Sequence, residues 1–202
     1  MVQPQFAPFE RAEDIFCAQV DPRWARHPYW YEDFEHCACG LCSFTMAVNI
    51  LTGTRLTPVE VYDMRAAWGL PQVQEGNGDI CGCDAQTQFN PMMRELFGVE
   101  STFLEDKSLD SFARVLEEGD RVIWFSSRDW EEPWIWSDGT KHASQHDEGH
   151  LVCAWKHEDG CFIIKDPWGM PELGNDVRYT HEQFERLLVG VLDNRFILRA
   201  VS

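Results

Sequence analysis

A long apolar segment, GLCSFTMAVNIL at residues 40–51, constrains the fold of this chain more than any other feature. Small residues are interleaved with large apolar ones along it, and Thr52-Gly53 forms a stop directly after it. A helix that is apolar on most of its surface has to be enclosed by the rest of its domain. The segment therefore predicts a mostly buried helix, with Cys39 at its N-terminus.

The remaining pattern predicts helices first and an antiparallel sheet afterwards. Further helices are expected at residues 57–68, 85–97 and 109–118. Strand-like apolar runs follow at residues 121–125, 150–155, 161–165 and 194–200. The turn sequence HEDG at 157–160 joins the second and third of these strands into a hairpin. We therefore expect an α+β fold, built as a single domain over residues 1–202.

The charge balance restricts the partners. Seventeen Lys and Arg against thirty-four Asp and Glu give a formal net charge of −17. Such a charge argues against binding to nucleic acid or to an anionic membrane, and its field favours a basic peptide as substrate. No run approaches the roughly 18 apolar residues of a membrane span, and the first residues lack a basic region followed by an apolar one, so we expect a cytoplasmic protein.

Cys39, His150 and Asp166 form the chemically most informative set. A cysteine at a helix N-terminus meets a partial positive charge that favours thiolate, and the free amides there can stabilise an oxyanion. With a turn near residues 158–159, hairpin partners have numbers that sum to about 316 or 317, which brings His150 and Asp166 to within a residue of facing each other. A histidine oriented by a carboxylate can serve a cysteine nucleophile as general base.

Five segments resemble one known family. The chain resembles papain-like cysteine peptidases related to the domain that trims bacteriocin leader peptides after a double glycine, in their stand-alone branch. CGLCSFTM resembles the family's helix start C-G-P-x-S-x-A-M, and LTGTRLTPVE resembles its L-T-G…L-T-P continuation. GHLV resembles its strand G-H-F-V, KDPWG its D-P strand end, and AQVDPRWA its Q-x-D-x-x-W-A segment. These segments lie at residues 39–46, 51–60, 149–152, 165–169 and 18–25.

The resemblance implies a papain-like fold in which the nucleophile helix packs on the antiparallel sheet. It implies that Cys39 is the nucleophile, that His150 is general base and then acid, that Asp166 orients the histidine, and that the Gln19 amide donates in the oxyanion hole. The implied reaction is cleavage of a peptide or related amide bond through an acyl-thioester, and no cofactor is implied. The same triad can also serve an acyltransferase that uses an amine acceptor instead of water.

Two departures from the family pattern leave a second hypothesis open. Leu41 replaces the usual proline, and Cys42 adds a thiol that is buried filler, a disulfide partner of the nucleophile or a metal ligand. Two of His36, Cys81 and Cys83 could complete a zinc site with Cys37, Cys39 and Cys42, although paired C-x-x-C knuckles are lacking. A disulfide between the two cysteine clusters, acting as a redox lock, is a further alternative.

Overall fold

The predicted buried helix is present as α2, Cys39–Thr52, in a computed structural model that describes residues 15–29, 32–68, 90–127, 134–135, 141–142, 150–168, 175–188 and 195–201. Its residues from Cys39 to Asn49 are all buried. Gly53 ends it with a left-handed backbone, φ 68°, and donates its N–H to the Asn49 carbonyl. The helix is therefore enclosed along most of its length, as its composition predicts.

The other elements follow the expected order only in part, because the strand Val99–Phe103 precedes the helix Leu109–Glu117 and the helix His181–Leu188 lies between two strands of the main sheet. The helices are α1 Phe34–Cys37, α2, α3 Pro58–Trp68, α4 Asn90–Met92 continued by a π-helical turn Met93–Phe97, α5 Leu109–Glu117 and α6 His181–Leu188. The strands are β1 Pro28–Tyr29, β2 Glu32–Asp33, β3 Val99–Phe103, β4 Arg121–Ser127, β5 Trp134–Ile135, β6 Lys141–His142, β7 His150–Glu158, β8 Cys161–Lys165, β9 Val177–Thr180 and β10 Arg195–Ala200.

Six of these strands form one antiparallel sheet in the order β3-β10-β4-β7-β8-β9. Helices cover both faces of this sheet. The side chains of β4 show this, because they alternate between two apolar clusters. Val122 and Trp124 belong to the cluster that contains α2, whereas Ile123 and Phe125 belong to the cluster that contains residues of α5 and α6. A strand buried on both faces reads as a continuous apolar run. The α+β prediction is thus confirmed, with a helix–sheet–helix arrangement.

The β7–β8 hairpin is present, but the predicted register is wrong. The turn consists of Asp159 and Gly160 alone, both at positive φ (52° and 71°), so that Glu158 pairs with Cys161 and the paired numbers sum to 319. An irregularity between Ala154 and Lys156 changes this sum to 318. The position of the turn explains the error, because the turn is centred one residue later than predicted, and this shift raises the sum of paired numbers by two.

Several elements of the structure were not predicted, among them β3, β9 and α6. Strands β3 and β9 lie at the two edges of the sheet, where half-exposed, polar sequences are tolerated and give weak strand signals. Helix α6 buries only Phe184 and Leu187, which leaves too few apolar residues for a clear helical period. Of the helix expected at 85–97, residues 85–89 lie outside the described residues. No helix in the described part of the chain is both long enough and apolar enough to cross a bilayer.

A buried hydrogen bond joins α2 to the sheet. The indole N–H of Trp124 donates to Ser43 Oγ over 2.8 Å, and Ser43 is fully buried. The Phe44 ring packs edge-on against the Trp124 ring, with centroids 6.1 Å apart. This contact fixes the first turns of α2, and with them Cys39, against β4.

Replacing Ser43 with alanine should therefore destabilise the fold by about 1–3 kcal/mol, because it leaves the buried Trp124 indole N–H without an acceptor. Urea unfolding of Ser43→Ala, Trp124→Phe and the double variant measures this. We expect Ser43→Ala to cost clearly less in the Trp124→Phe background, where no donor is left unsatisfied. Equal costs in both backgrounds would show that the hydrogen bond contributes nothing.

Candidate active site

Cys39 is the first residue of α2 and lies directly after a short helix. Asp33 caps that helix, α1, by accepting the His36 N–H, and Ala38 connects the two helices with a non-helical backbone (φ −95°, ψ 20°). Cys39 is 5% exposed, whereas Cys42, one turn further on, is completely buried. Of these two residues, only Cys39 has any exposed surface, and it lies at the start of α2, where the first backbone amides have no acceptor within the helix.

His150 and Asp166 are in direct contact despite the shifted register. His150 Nε2 lies 2.8 Å from Asp166 Oδ1, and both side chains are nearly buried. Because an ionised carboxylate only accepts hydrogen bonds, Nε2 carries the proton of this bond and Nδ1 is the nitrogen that remains for chemistry. His150 begins β7, and Asp166 directly follows β8, so the hairpin holds both ends of the pair.

The electrostatics of His150 join it to Cys39 as well. Burial lowers the pKa of His150, but the charge and hydrogen bond of Asp166 outweigh burial, and a hydrogen bond and charge at Cys39 add to them, which raises the pKa from 6.5 to about 10. Asp166 and Cys39 therefore act on the imidazole in the same sense, and both favour its protonated form at neutral pH.

Gln19 lies between the two halves of this site. Its backbone N–H donates to the Pro167 carbonyl over 2.7 Å, one residue beyond Asp166. Its side-chain Nε2 donates to the Glu35 carbonyl over 2.5 Å, four residues before Cys39. The side chain is fully buried, and Oε1 has no hydrogen-bond partner. An amide nitrogen carries two hydrogens, so one donor remains beside the bond to Glu35.

Trp168 is a further site residue, to which the sequence analysis assigned no role. Its ring stands edge-on to the His150 imidazole, with centroids 5.2 Å apart, and its backbone N–H donates to Asp166 Oδ1 over 2.8 Å. It thus contacts both members of the His–Asp pair. The Asp-Pro-Trp-Gly motif already contained the signal, an aromatic residue two positions after the carboxylate.

Behind the site, a buried network fixes the chain around Asp166. Lys165 is fully buried, and its Nζ lies 2.9 Å from Asp176 Oδ1 and 2.5 Å from Asn175 Oδ1. Asp176 also accepts the indole N–H of Trp155 over 2.8 Å. These contacts tie the end of β8 to the start of β9 and to β7. Asp166 therefore follows a residue whose side chain cannot move freely.

The remaining cysteines differ from Cys39 in their surroundings. Burial raises the pKa values of Cys17 and Cys153 to about 12, so both stay protonated thiols. Cys81 and Cys83, and with them half of the zinc hypothesis, lie outside the described residues. Within the described ranges no group of three or more His, Cys, Asp or Glu side chains is arranged to hold a metal ion. His36 instead contacts Asp33, with Nδ1 2.6 Å from Oδ1.

Comparison with known proteins supports the fold. No family model and no curated protein matches the sequence. Among solved structures, the chain is similar to the crystal structure of a Bacillus anthracis protein provisionally described as a C39-like peptidase, with a TM-score of 0.51 and 14% identity over 93% of this chain and 94% of that chain. At this identity the similarity shows the fold alone. The chain has an α+β, C39-like peptidase fold of the papain-like kind, as the resemblance implied.

The Asp166 contact predicts how His150 titrates. Replacing Asp166 with asparagine removes the charge that raises the pKa and leaves burial, which lowers it, so the pKa of His150 should fall well below about 10. NMR titration of the His150 ring in both proteins measures the shift. An unchanged titration would show that the carboxylate does not set the charge of the imidazole.

The same shift sets the sign of a stability effect. Because the folded pKa of His150 lies above 6.5, protonated His150 stabilises the fold fully below about pH 6.5, and this contribution is lost as the pH rises through about 10.

Proposed function

We propose that this protein is a cysteine peptidase-like hydrolase that cleaves a peptide or related amide bond. The observation that carries the proposal is the 2.8 Å hydrogen bond between His150 and Asp166, together with the electrostatic effect of Cys39 on the same imidazole. A thiol, an imidazole and a carboxylate in this order form the arrangement that activates a cysteine nucleophile. The C39-like peptidase fold supports the same reaction class.

In the proposed reaction, His150 already holds the proton given up by Cys39, and the Cys39 thiolate attacks the carbonyl carbon of the substrate. The new C–S bond gives a tetrahedral oxyanion. His150 then donates its proton to the leaving amine as the C–N bond breaks, which leaves an acyl-thioester on Cys39. Water, deprotonated by His150, attacks this thioester and releases the carboxylate product and the thiol. Asp166 orients the imidazole throughout and stabilises its positive charge.

Two further residues support this reaction. The amides at the start of α2 and the second N–H of Gln19 are the proposed donors to the oxyanion. The bonds of Gln19 to the carbonyls of Glu35 and Pro167 would hold this amide in place. Trp168 shields the His150–Asp166 bond from water on one side, which strengthens it.

Alkylation tests the nucleophile without knowledge of the substrate. At pH 6 an ordinary thiol, with a pKa of about 8.5, is almost fully protonated and reacts slowly with iodoacetamide. A Cys39 thiolate paired with imidazolium should react first, and His150→Ala should slow its reaction. Peptide mapping by mass spectrometry identifies each labelled site.

Cys161, half-buried on β8, is the internal control. Unreactive Cys39 beside labelled Cys161, in reduced protein treated with a chelator, would remove Cys39 as nucleophile. Metal analysis of the untreated protein tests the zinc hypothesis in the same sample, because zinc bound through Cys39 would block labelling until the chelator is added.

The kinetics should separate the roles of His150 and Asp166. His150→Ala should lower kcat/KM at least about 100-fold, because the group that transfers protons is gone. Asp166→Asn should retain more activity, since an amide oxygen still accepts the Nε2–H bond, but the alkaline limb of its pH profile should move to lower pH. Turnover of a peptide mixture containing basic sequences, followed by mass spectrometry, measures this.

Equal activity of wild type and His150→Ala on any cleaved peptide would contradict the assignment. Adding a primary amine to the same assay separates hydrolysis from acyl transfer, because a transferase forms the new amide in place of the free acid.

A further inference from the structure

The nucleophile helix begins with a second thiol one turn after the first. Residues 39–42 read Cys-Gly-Leu-Cys, and α2 begins at Cys39. The described thiols are reduced in this structure, Cys39 and Cys42 among them. A C-x-x-C pair at a helix N-terminus is the arrangement of dithiol–disulfide proteins, in which the first thiol is the reactive one. The proposed hydrolysis uses Cys39 and has no use for Cys42.

The helix geometry brings the two residues within reach of a disulfide. Residues three apart in an α-helix lie on the same face, and their Cα atoms are about 5 Å apart, inside the range found for disulfides. Their Cβ atoms have to approach by roughly 1 Å. Cys39 can supply this movement, because it is the first helical residue and follows the non-helical Ala38, whereas Cys42 is anchored by its N–H bond to the Ala38 carbonyl over 2.9 Å.

Cys37 is the other neighbouring thiol, and its position is less suitable. It ends α1, two residues before Cys39, and it is separated from it by the buried Ala38. Cys37 and Cys39 thus belong to two different helices, whereas Cys39 and Cys42 share one face of the same helix. Cys42 is therefore the preferred partner of Cys39.

We propose that Cys39 and Cys42 form a reversible disulfide that protects and inactivates the nucleophile under oxidation by a hydroperoxide. The Cys39 thiolate attacks the peroxide oxygen and the O–O bond breaks, so that Cys39 becomes a sulfenic acid. The leaving oxygen takes the proton of the His150 imidazolium and departs as water from hydrogen peroxide, or as an alcohol from an organic hydroperoxide. The Cys42 sulfur then attacks the Cys39 sulfur, the S–O bond breaks, and water leaves with the Cys42 proton. An external dithiol reduces the disulfide and restores both thiols.

This inference rests on Cys39 being the reactive thiol of the proposed function. Cys42 is the residue that determines whether oxidation can be reversed. Without it, sulfenic acid at Cys39 has no thiol one turn away, and excess peroxide oxidises it further to the irreversible sulfinic acid. The predicted consequence is a reversible loss of activity in wild type and an irreversible one in a Cys42 variant.

The test treats full-length wild type, Cys42→Ser, Cys42→Ala and the control Cys37→Ser with excess hydrogen peroxide, and then with dithiothreitol. Non-reducing peptide mapping should give a Cys39–Cys42 linkage, about 2 Da lighter than the dithiol, in wild type and Cys37→Ser. Both should regain most of their activity and iodoacetamide labelling on reduction. Both Cys42 variants should start with near wild-type activity and end with Cys39 about 32 Da heavier and inactive.

The outcomes separate this inference from the function on which it rests. A linkage that forms in protein without any turnover would keep the disulfide and refute the hydrolase. A second outcome is that the untreated protein turns over substrate, but peroxide inactivates wild type and Cys42→Ser equally and irreversibly. This outcome would refute the disulfide and keep the hydrolase. A linkage of Cys39 to Cys37 or Cys153 would also overturn it. Peptide mapping and iodoacetamide labelling need no substrate. Both can therefore be carried out on the folded fraction of a variant whose stability is reduced.

Discussion

The enclosure of α2 determines where the chemistry of this protein can occur. Nearly all of its first three turns are buried, between the sheet face that carries Trp124 and the neighbouring α3, so the helix exposes its backbone amides only at the N-terminus. A thiol placed there is held by core packing and not by a loop. The Ser43–Trp124 hydrogen bond supports this, because it links the position of Cys39 to a strand at the centre of the sheet.

The hairpin supplies the other half of the site by an equally rigid route. His150 and Asp166 are sixteen residues apart in sequence. The two-residue turn and the pairing of β7 with β8 bring both residues to the open end of the hairpin. The Lys165–Asp176 ion pair then fixes the backbone next to the carboxylate. Both halves thus rest on regular secondary structure, which is the arrangement that preorganised catalysis requires.

The sequence predicted the two halves of the site, the α2 half and the hairpin half, with different accuracy. Apolar composition and stop signals located α2, α3 and α5 closely, because helix ends depend on local side chains: Thr57 and Glu60 cap α3 through reciprocal hydrogen bonds. The His150–Asp166 contact was predicted from a register that is off by about two residues, since side chains of this length reach across such an error. A place for Gln19 in the site was implied only by the family resemblance of residues 18–25, because its hydrogen bonds go to two backbone carbonyls far away in sequence.

The same electrostatics that favour catalysis also favour oxidation. A helix terminus and an imidazolium both stabilise a thiolate. The thiolate is the attacking group both at a carbonyl carbon, in hydrolysis, and at a peroxide oxygen, in oxidation. Burial gives Cys17 and Cys153 the opposite character, since it keeps them protonated. The proposed difference in reactivity among the described cysteines therefore follows from their positions in the fold. Under the same proposal, a second thiol on the helix of Cys39 has a chemical role that a thiol on β7, away from a helix terminus, would not have.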